Sequence, residues 1–413
     1  MRTGRRDLIR DLNRSLVLNL VRERGPLSRA GLARLSGLSS STVTEIVAVL
    51  LADGFLKEDG QAPAGDSGLG RPGTLLHVNP DAGYVIGLKL AADSLTATVT
   101  DLAAEPRSFA TVPHRPGSDV ASVTGTFDRA VLQALDAAGI AQSDLLGLGI
   151  GAPGSVVDGH IVGSPIPGWA GLDMLTLLEQ HFDLPVFLDN DVNTLTVAEQ
   201  LYGAGVGADT FMVVTVGRGI GMGVVVNGTL HRGRHGAAGE LGHILAVPDG
   251  PACWCGRRGC LEATAAEPAL VRDVLASTGK LRAPADLAAY AIREPAVADI
   301  LARAGRLVGR AVGDVAMVLD PDRIIVAGEG VRLGPAYLDA ISEGIRSHHG
   351  LDGLELVVEP WGDEAWARGA ATLVLRELFH PAHLREDGPP PVARPLATSV
   401  IARQARMGQG GTR

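Results

Sequence analysis

The chain has 413 residues, of which 46% are hydrophobic and 20% charged, and its formal net charge is −9. This is the composition of a folded globular protein, and the length predicts two or three compact units. No stretch approaches 18 uninterrupted apolar residues and the first residues lack an apolar signal core. We therefore expect no membrane contact and a cytoplasmic location.

Positive charge is concentrated towards the N-terminus. Residues 1–75 hold 11 Lys and Arg against 8 Asp and Glu, whereas the remaining residues hold 26 against 38. A basic end on an acidic body suits a nucleic-acid contact confined to one region. A solvated helix surface would show the same excess, so charge alone leaves both interpretations open.

The N-terminal part predicts three short helices and a hairpin. Apolar residues recur at helical spacing over residues 8–21. Ser28 and Ser39 are suited to cap a second and a third helix. Residues 55–57 and 74–78 then predict two strands with a long glycine-rich tip between them.

Three helices followed by a hairpin are typical of a winged helix-turn-helix, whose third helix enters the major groove of DNA. The polar side of that helix predicts DNA contacts from Ser40, Ser41, Thr42, Thr44 and Glu45. The helix has no Lys or Arg. We therefore expect phosphate contacts from Arg71, which lies between glycine and proline at the hairpin tip, and from Arg2, Arg5, Arg6, Arg10, Arg14 and Arg29. A winged helix that binds protein is the alternative.

From about residue 84, short apolar strands alternate with amphipathic helices, which predicts an α/β fold. The predicted strands are 84–90, 95–99, 146–150, 186–188, 211–216, 223–226 and 323–326. The predicted helices are 119–138, 172–181, 194–201, 297–318 and 336–347. The first two strands form a predicted hairpin. We predict three parts: residues 1–80, residues 81–379, and a disordered tail over residues 380–413, which lacks apolar periodicity.

All three cysteines of the chain, Cys253, Cys255 and Cys260, lie within eight residues. This clustering favours a metal over a disulfide framework, because a Cys-x-Cys pair closes a poor local disulfide. With His243 the thiolates supply four donors for a closed tetrahedral zinc site, which is structural because no position is left for water. Redox thiols and small buried residues are the alternatives.

The run from Gly242 to Glu262 resembles the signature of the ROK family, which comprises repressors, open reading frames and sugar kinases. It reads Gly-His-x4-Pro-x-Gly-x2-Cys-x-Cys-Gly-x2-Gly-Cys-x-Glu. Further matches are Gly-Ala-Pro-Gly from Gly151, Gly-Trp from Gly168, Asn-Asp from Asn190, and Gly-x-Gly-Ile-Gly-x-Gly from Gly217. The preceding winged helix looks like the repressor branch. The resemblance covers about residues 10–378.

The resemblance implies a two-lobed actin/hexokinase-like ATPase fold with a sugar bound between the lobes. The sugar contacts that it implies are Gly154, Asn190, Asp191, Glu240, His243 and Glu262. Among these, Asp191 aligns with the general base of the kinases and His243 would also serve the zinc ion. Carboxylates and an amide can exchange hydrogen bonds with vicinal hydroxyls. Without the resemblance, Asn190 and Asp191 would be interpreted as a turn at a strand end.

The nucleotide-binding elements of the family are altered in this chain. Where the kinases carry Asp-x-Gly-Gly-Thr, residues 89–93 read Lys-Leu-Ala-Ala-Asp, which places an aspartate where it would repel phosphate. The second phosphate loop has Arg218 in place of threonine, and the adenosine loop has Glu329 between its glycines. We therefore expect a sensor and no enzyme activity.

Together these features predict a DNA-binding transcriptional regulator with one structural zinc ion per chain. By family analogy it would repress genes of carbohydrate uptake or catabolism. A sugar would alter how paired heads meet two half-sites of operator DNA, which implies a homodimer or a dimer of dimers. The alternatives are an active ATP-dependent sugar kinase with a fused DNA-binding domain, and a ligand-independent repressor.

Overall fold

The computed structural model describes residues 5–379 except residues 62–72, 92, 115–119, 158, 164–172, 349, 352 and 361. Three of the predictions lie outside the described residues: the DNA contacts of Arg2 and Arg71, the motif match at Gly168 and Trp169, and the disordered tail over residues 380–413. The described chain forms an N-terminal three-helix domain and a body of two α/β lobes, each with a five-stranded sheet.

The N-terminal domain, which we call the head, consists of α1 (Arg5–Arg24), β1 (Leu27–Ser28), α2 (Arg29–Ser36), α3 (Ser40–Ala52), β2 (Leu56–Gln61) and β3 (Thr74–Val78). Both predicted caps are present. The Ser28 hydroxyl accepts a hydrogen bond from the Gly31 amide at 3.1 Å, and the Ser39 hydroxyl accepts one from the Thr42 amide at 3.2 Å. β2 and β3 form the predicted hairpin, and β1, which the sequence did not predict, pairs with the other edge of β3.

The first lobe consists of β4 (Tyr84–Leu90), β5 (Ser94–Thr100), β6 (Pro106–Pro113), α4 (Val120–Ala138), β7 (Leu145–Ala152), β8 (Ser155–Val157), β9 (His160–Gly163), α5 (Met174–Phe182), β10 (Val186–Asn190) and α6 (Asp191–Tyr202). Its sheet has the order β10-β7-β4-β5-β6. β4, β5 and β6 are antiparallel neighbours, which confirms the predicted hairpin, whereas β7 lies parallel to β4 and β10.

The second lobe begins with β11 (Phe211–Val216), β12 (Ile220–Val226), β13 (Thr229–Leu230), α7 (Leu261–Ala265), α8 (Glu267–Thr278) and α9 (Leu287–Ala291). It continues with α10 (Pro295–Leu319), β14 (Arg323–Ala327), α11 (Pro335–Arg346) and β15 (Glu355–Val358), and the chain then forms α12 (Asp363–Phe379). The sheet has the order β13-β12-β11-β14-β15, in which β11, β14 and β15 are parallel.

The last helix, α12, returns from the second lobe and packs on the sheet of the first lobe and on α6. A Cβ on Gly87 would lie 1.9 Å from the carbonyl oxygen of Ala367, and one on Gly149 would lie 1.9 Å from that of Ala370. Only glycine at these two strand positions allows so close an approach. Because α12 also packs on α6, it supports the helix that begins at Asp191.

Each element predicted for the body is present, with ends that differ by a few residues. The elements absent from the prediction are β6, β8, β9, β13, β15, α7, α8, α9 and α12. The missed strands are short or lie at sheet edges, where the apolar alternation is weak. The centre of α12, residues 369–375, is buried on all sides, so this helix lacks the polar stripe that marks an amphipathic helix.

In the part of the chain that the structure describes, no single helix is long and apolar enough to cross a membrane. By length and composition only, α2 and α3 would meet that criterion together, although they are bent by 119° relative to each other. In the structure, the buried residues Leu32, Val43 and Val47 of these two helices belong to the core of the head.

Candidate ligand site and metal centre

The third helix of the head presents the five residues predicted to contact DNA. Four of them are exposed and Thr42 is half-buried. The hydroxyls of Ser41 and Thr42 each lie 2.8 Å from that of the Ser39 cap, and the Thr44 hydroxyl donates to the Ser40 carbonyl at 2.8 Å. These side chains are accessible at the N-terminal end of α3, and their contact with DNA stays a prediction.

The six residues predicted to bind sugar come from both lobes, and we refer to them together as the interlobe site. They are Gly154, Asn190 and Asp191 in the first lobe, and Glu240, His243 and Glu262 in the second. Asn190 ends β10 and caps α6: its Oδ1 accepts from the Val192 amide at 2.9 Å, and its Nδ2 donates to the Gly154 carbonyl at 2.9 Å. This cap turns the strand end into a helix start and fixes the position of Asp191.

Asp191 forms an ion pair with Lys89, which projects from β4. The two side chains are 13% and 14% exposed, and the Lys89 ammonium lies 4.6 Å from the ring centroid of Trp366 on α12. Cation–π attraction therefore helps to hold the ammonium in place. Lys89 stands where the kinases carry an aspartate, and its ammonium occupies a carboxylate oxygen that could otherwise receive the proton of a sugar hydroxyl.

Glu240 contacts the first lobe through β8. Its Oε1 accepts a hydrogen bond from the Ser155 hydroxyl at 3.2 Å, and its Oε2 lies 3.8 Å from Nε2 of His243. Ser155 directly follows Gly154, whose carbonyl receives the Asn190 amide. One short segment of the first lobe therefore contacts both Asn190 and Glu240 and brings the two halves of the interlobe site together.

Glu262, in α7, accepts two hydrogen bonds. Its Oε2 accepts from the Ile220 amide at 3.1 Å, and its Oε1 accepts from Nε1 of Trp254 at 2.6 Å. The Trp254 ring also meets the His243 ring edge-on, with ring centroids 4.8 Å apart. No sequence motif marked Trp254, although its position between two cysteines of the predicted metal site was a signal.

The four predicted metal ligands, His243, Cys253, Cys255 and Cys260, form a compact cluster. Their donor atoms all lie within 4.8 Å of one another. The Cys253 Sγ lies 3.5 Å from Nδ1 of His243, and the Cys255 Sγ lies 3.6 Å from the Cys260 Sγ. A tetrahedron with metal–sulfur bonds of about 2.3 Å and a metal–nitrogen bond of about 2.0 Å has sulfur–nitrogen edges of roughly 3.5 Å and sulfur–sulfur edges of roughly 3.8 Å. The cluster could therefore hold a metal ion.

The loop that carries the cysteines turns at Gly259, which has a φ of 74°. A Cβ there would lie 1.9 Å from the Val247 carbonyl oxygen, so glycine is required. A hydrogen bond from the Arg257 amide lowers the pKa of Cys255 to about 6, whereas burial raises the pKa of Cys253. A bound metal would displace the Cys253 proton, so metal affinity falls as the pH falls.

Two of the three elements predicted to face a nucleotide, the loops of Arg218 and Glu329, meet at Glu329. Its Oε1 accepts a hydrogen bond from the Arg218 amide at 3.0 Å and lies 3.5 Å from Nε of the same residue. The fit is close, because a Cβ on Gly217 would lie 2.4 Å from the Glu329 Cδ. A carboxylate therefore already rests on the β11–β12 turn that the family resemblance assigns to phosphate.

One contact joins the head to the C-terminal end of α6. Arg22 of α1 donates to the Leu201 carbonyl at 2.7 Å, and its guanidinium carbon lies 5.4 Å and 5.3 Å from the ring centroids of Tyr202 and Phe379. The Arg22 side chain is 9% exposed, so solvent screens these contacts little. No sequence motif marked Arg22.

Comparison with protein families gives two matches. A model described as the ROK family matches residues 85–377, and one described as a winged helix-turn-helix DNA-binding domain matches residues 10–57. The chain is 28% identical over 377 residues to the xylose repressor of Bacillus subtilis, with 89% of this chain and 96% of that protein covered. It is 29% identical over 360 residues to the DNA-binding transcriptional dual regulator NagC of Escherichia coli, with 83% and 87% covered.

Two solved structures have similar folds. A ROK family transcriptional regulator described as a homolog of the E. coli MLC protein has a TM-score of 0.77 at 23% identity, over 96% of this chain and 99% of that chain. A ROK family glucokinase from Streptomyces griseus, solved with glucose and AMPPNP, has a TM-score of 0.60 at 30% identity. The glucokinase alignment covers 70% of this chain and 99% of the glucokinase, so it leaves part of this chain unmatched.

Proposed function

Because this chain belongs to the ROK family, we propose that it is a sequence-specific DNA-binding transcriptional regulator that responds to a sugar bound at the interlobe site. The predicted fold, a winged helix-turn-helix followed by a two-lobed actin/hexokinase-like body, is confirmed. The similarity to the xylose repressor and to NagC covers most of the length of each protein. It supports repression of carbohydrate uptake or catabolism genes as the role.

The observation that carries this proposal is the position of α6. Its first turn holds Asp191 of the interlobe site, and its last turn holds the Leu201 carbonyl that binds Arg22 of the head. A helix of 12 residues is about 18 Å long and transmits displacement along its axis. A sugar that binds better to one position of α6 than to another will shift the support of α1, and with it the head.

In this proposal the carboxylates of Asp191, Glu240 and Glu262 accept hydrogen bonds from sugar hydroxyls. The site holds three carboxylates, of which Asp191 pairs with the Lys89 ammonium and Glu240 lies beside the His243 ring. This excess of negative charge favours a neutral sugar over an anionic one. The hydrogen bond from Ser155 to Glu240 joins the two lobes at these groups. A bound sugar would bridge the lobes in the same way.

We propose that the Cys3His cluster holds one zinc ion per chain. Three thiolates and one imidazole are the donor set that zinc prefers, and four protein ligands leave no open position, so the ion would stabilise structure. Nδ1 of His243 is the nitrogen that faces the thiolates. Coordination there leaves the proton on Nε2, which faces Glu240, so the metal would determine what His243 offers to the interlobe site.

We propose that the body has no kinase activity. Two contacts support this: Lys89 lies on Asp191, the residue aligned with the kinase base, and the Glu329 carboxylate lies on the turn aligned with the phosphate loop. Phosphoryl transfer requires Asp191 to accept a proton and the β11–β12 turn to bind phosphate. Both positions are already engaged within the chain.

We propose residues 1–80 as the DNA-binding domain and residues 81–379 as the sensor domain. The exposed residues of α3 would read bases, and Arg71 would reach the backbone or minor groove. A head of this size contacts one half-site, so useful affinity implies a dimer, or a dimer of dimers, on paired half-sites of operator DNA.

The test is a DNA-binding assay with sugars. The wild-type protein first selects an operator from random duplexes. Its affinity is then measured by fluorescence anisotropy with D-glucose, D-xylose, N-acetyl-D-glucosamine and their β-linked disaccharides. We expect one of them to change the DNA affinity by about tenfold or more. If no sugar changed the DNA affinity, the ligand-independent repressor would be the remaining alternative. Sugar-dependent release of ADP from ATP would instead show that the protein is a sugar kinase.

Asp191→Ala is the matching variant. It should bind the operator like the wild type and ignore the sugar, because the carboxylate at the start of α6 is lost. The control is Asp144→Ala, which removes an exposed carboxylate just before β7 and should leave the response intact. An Asp191→Ala protein that responded fully would contradict the assignment of the interlobe site.

A further inference from the structure

We infer that Trp254 is a carbohydrate-contact residue that forms one wall of the interlobe site and selects which hydroxyl Glu262 can bind. This inference rests on the proposed function and adds a residue to it. The ligand class is a pyranose ring, either free or as one unit of a glycoside.

Exposure is the first observation. Trp254 is 58% exposed, whereas Trp366, the other described tryptophan, is 9% exposed. An exposed indole leaves a large apolar face in water, which is unfavourable unless a ligand covers it. The C–H face of a pyranose is apolar and flat, and its rim of hydroxyls matches a site that combines an aromatic ring with carboxylates.

Rigidity is the second observation. Trp254 lies between Cys253 and Cys255, so the metal cluster would hold its backbone on both sides. The hydrogen bond to Glu262 and the edge contact with His243 fix the ring itself. A ring that is already oriented loses little conformational entropy when a ligand binds. Both anchors are members of the interlobe site, which places the indole at its border.

The hydrogen bonding of Glu262 supplies the link to specificity. One oxygen accepts from the Ile220 amide and the other from Trp254. A carboxylate has about four lone-pair positions, so a sugar hydroxyl can still bind, but only in the directions that the indole leaves open. Trp254 would therefore decide which hydroxyl reaches Glu262 while its face packs on the ring.

The experiment compares full-length wild type, Trp254→Ala and Trp254→Phe with the responding sugar of the panel described above, by calorimetry. We expect Trp254→Ala to weaken sugar binding by about tenfold or more and Trp254→Phe by roughly threefold, because phenylalanine keeps the aromatic face and loses only the hydrogen bond. Phe109→Ala removes a 37% exposed aromatic residue on edge strand β6 and should bind normally.

Two further measurements separate contact from a structural role. Metal content and DNA affinity without sugar should match the wild type in both variants. The sugar should change the tryptophan fluorescence of the wild type, and this change should be absent in Trp254→Phe. Unchanged sugar affinity in Trp254→Ala, or the same fluorescence change in Trp254→Phe, would overturn the inference while the proposed function stood. A wild type that bound no sugar would overturn both.

Discussion

The two ligand-facing sides of the body differ in what their polar groups contact. On the proposed sugar side, the segment at Gly154 and Ser155 of the first lobe contacts both Asn190 of the same lobe and Glu240 of the second lobe. On the nucleotide side, Glu329 supplies an internal carboxylate to the Arg218 amide. The proposed sugar side includes a hydrogen bond between the lobes, whereas the nucleotide side is occupied by a side chain of the protein itself.

Changes at a few positions can give a family fold a new role while its core stays intact. The strands that carry both sides, β11 and β12, are paired residue by residue and are buried over most of their length. Substitutions in the connecting turns therefore alter what binds there and leave the sheet intact. At Arg218 and Glu329 the proposed loss of phosphate binding required changes outside the strands, whereas Lys89 lies near the end of β4. The sugar residues on other segments could stay unchanged.

The strongest effect is expected at the Cys3His cluster, because His243 in the cluster and Glu262 beside it both belong to the proposed sugar side. Cys260→Ser should remove the metal and lower the free energy of unfolding by about 4 kcal/mol or more. It should also abolish sugar binding, because Glu262 lies two residues further along and His243 shares the cluster. Metal analysis measures the bound metal, and thermal unfolding measures the loss of stability. Chelation of the wild type should reproduce the loss, and full stability without metal would contradict a structural role.

The next effect tests whether the sugar side alone communicates with the head. Arg22→Ala removes the contact with Leu201 at the end of α6. Sugar affinity should stay within about twofold of the wild type, while the sugar-dependent change in operator affinity should fall by about tenfold. Calorimetry and anisotropy measure the two quantities separately. Arg34→Ala, at the end of α2, is a control for loss of an arginine from the head. An unaltered sugar effect in Arg22→Ala would exclude α6 as the connection.

The smallest expected effect is a gain on the nucleotide side. Glu329→Gly should expose the Arg218 amide and give weak ADP binding, with a Kd of roughly 1 mM, where the wild type shows none. Glu329→Gln keeps the shape of the side chain and should bind ADP more weakly than Glu329→Gly. No sugar phosphorylation should appear, because Lys89 still occupies Asp191. Equal ADP affinity in the wild type and Glu329→Gly would show that the carboxylate does not block the turn.

Much of the fold could be predicted because its signals are local. Ser28 and Ser39 cap helices within three residues of themselves, and the strands of the body follow runs of buried apolar residues. α12 could not be predicted, since a helix packed on all sides carries no amphipathic pattern. All four residues of the Cys3His cluster were predicted to lie together, and they do. Trp254 and Arg22 were missed because their partners are not apparent from neighbouring residues.

The sequence alone identified the family, the order of the domains and the four residues of the Cys3His cluster. These depend on motif residues that are close in the chain, where spacing alone dictates which atoms can meet. Tertiary structure alone sets three pairings: Lys89 with Asp191, Glu329 with Arg218 and Arg22 with Leu201. Those partners are 102, 111 and 179 positions apart. A charged side chain can find many partners at such distances, and the packing of the lobes, the head and α12 selects one.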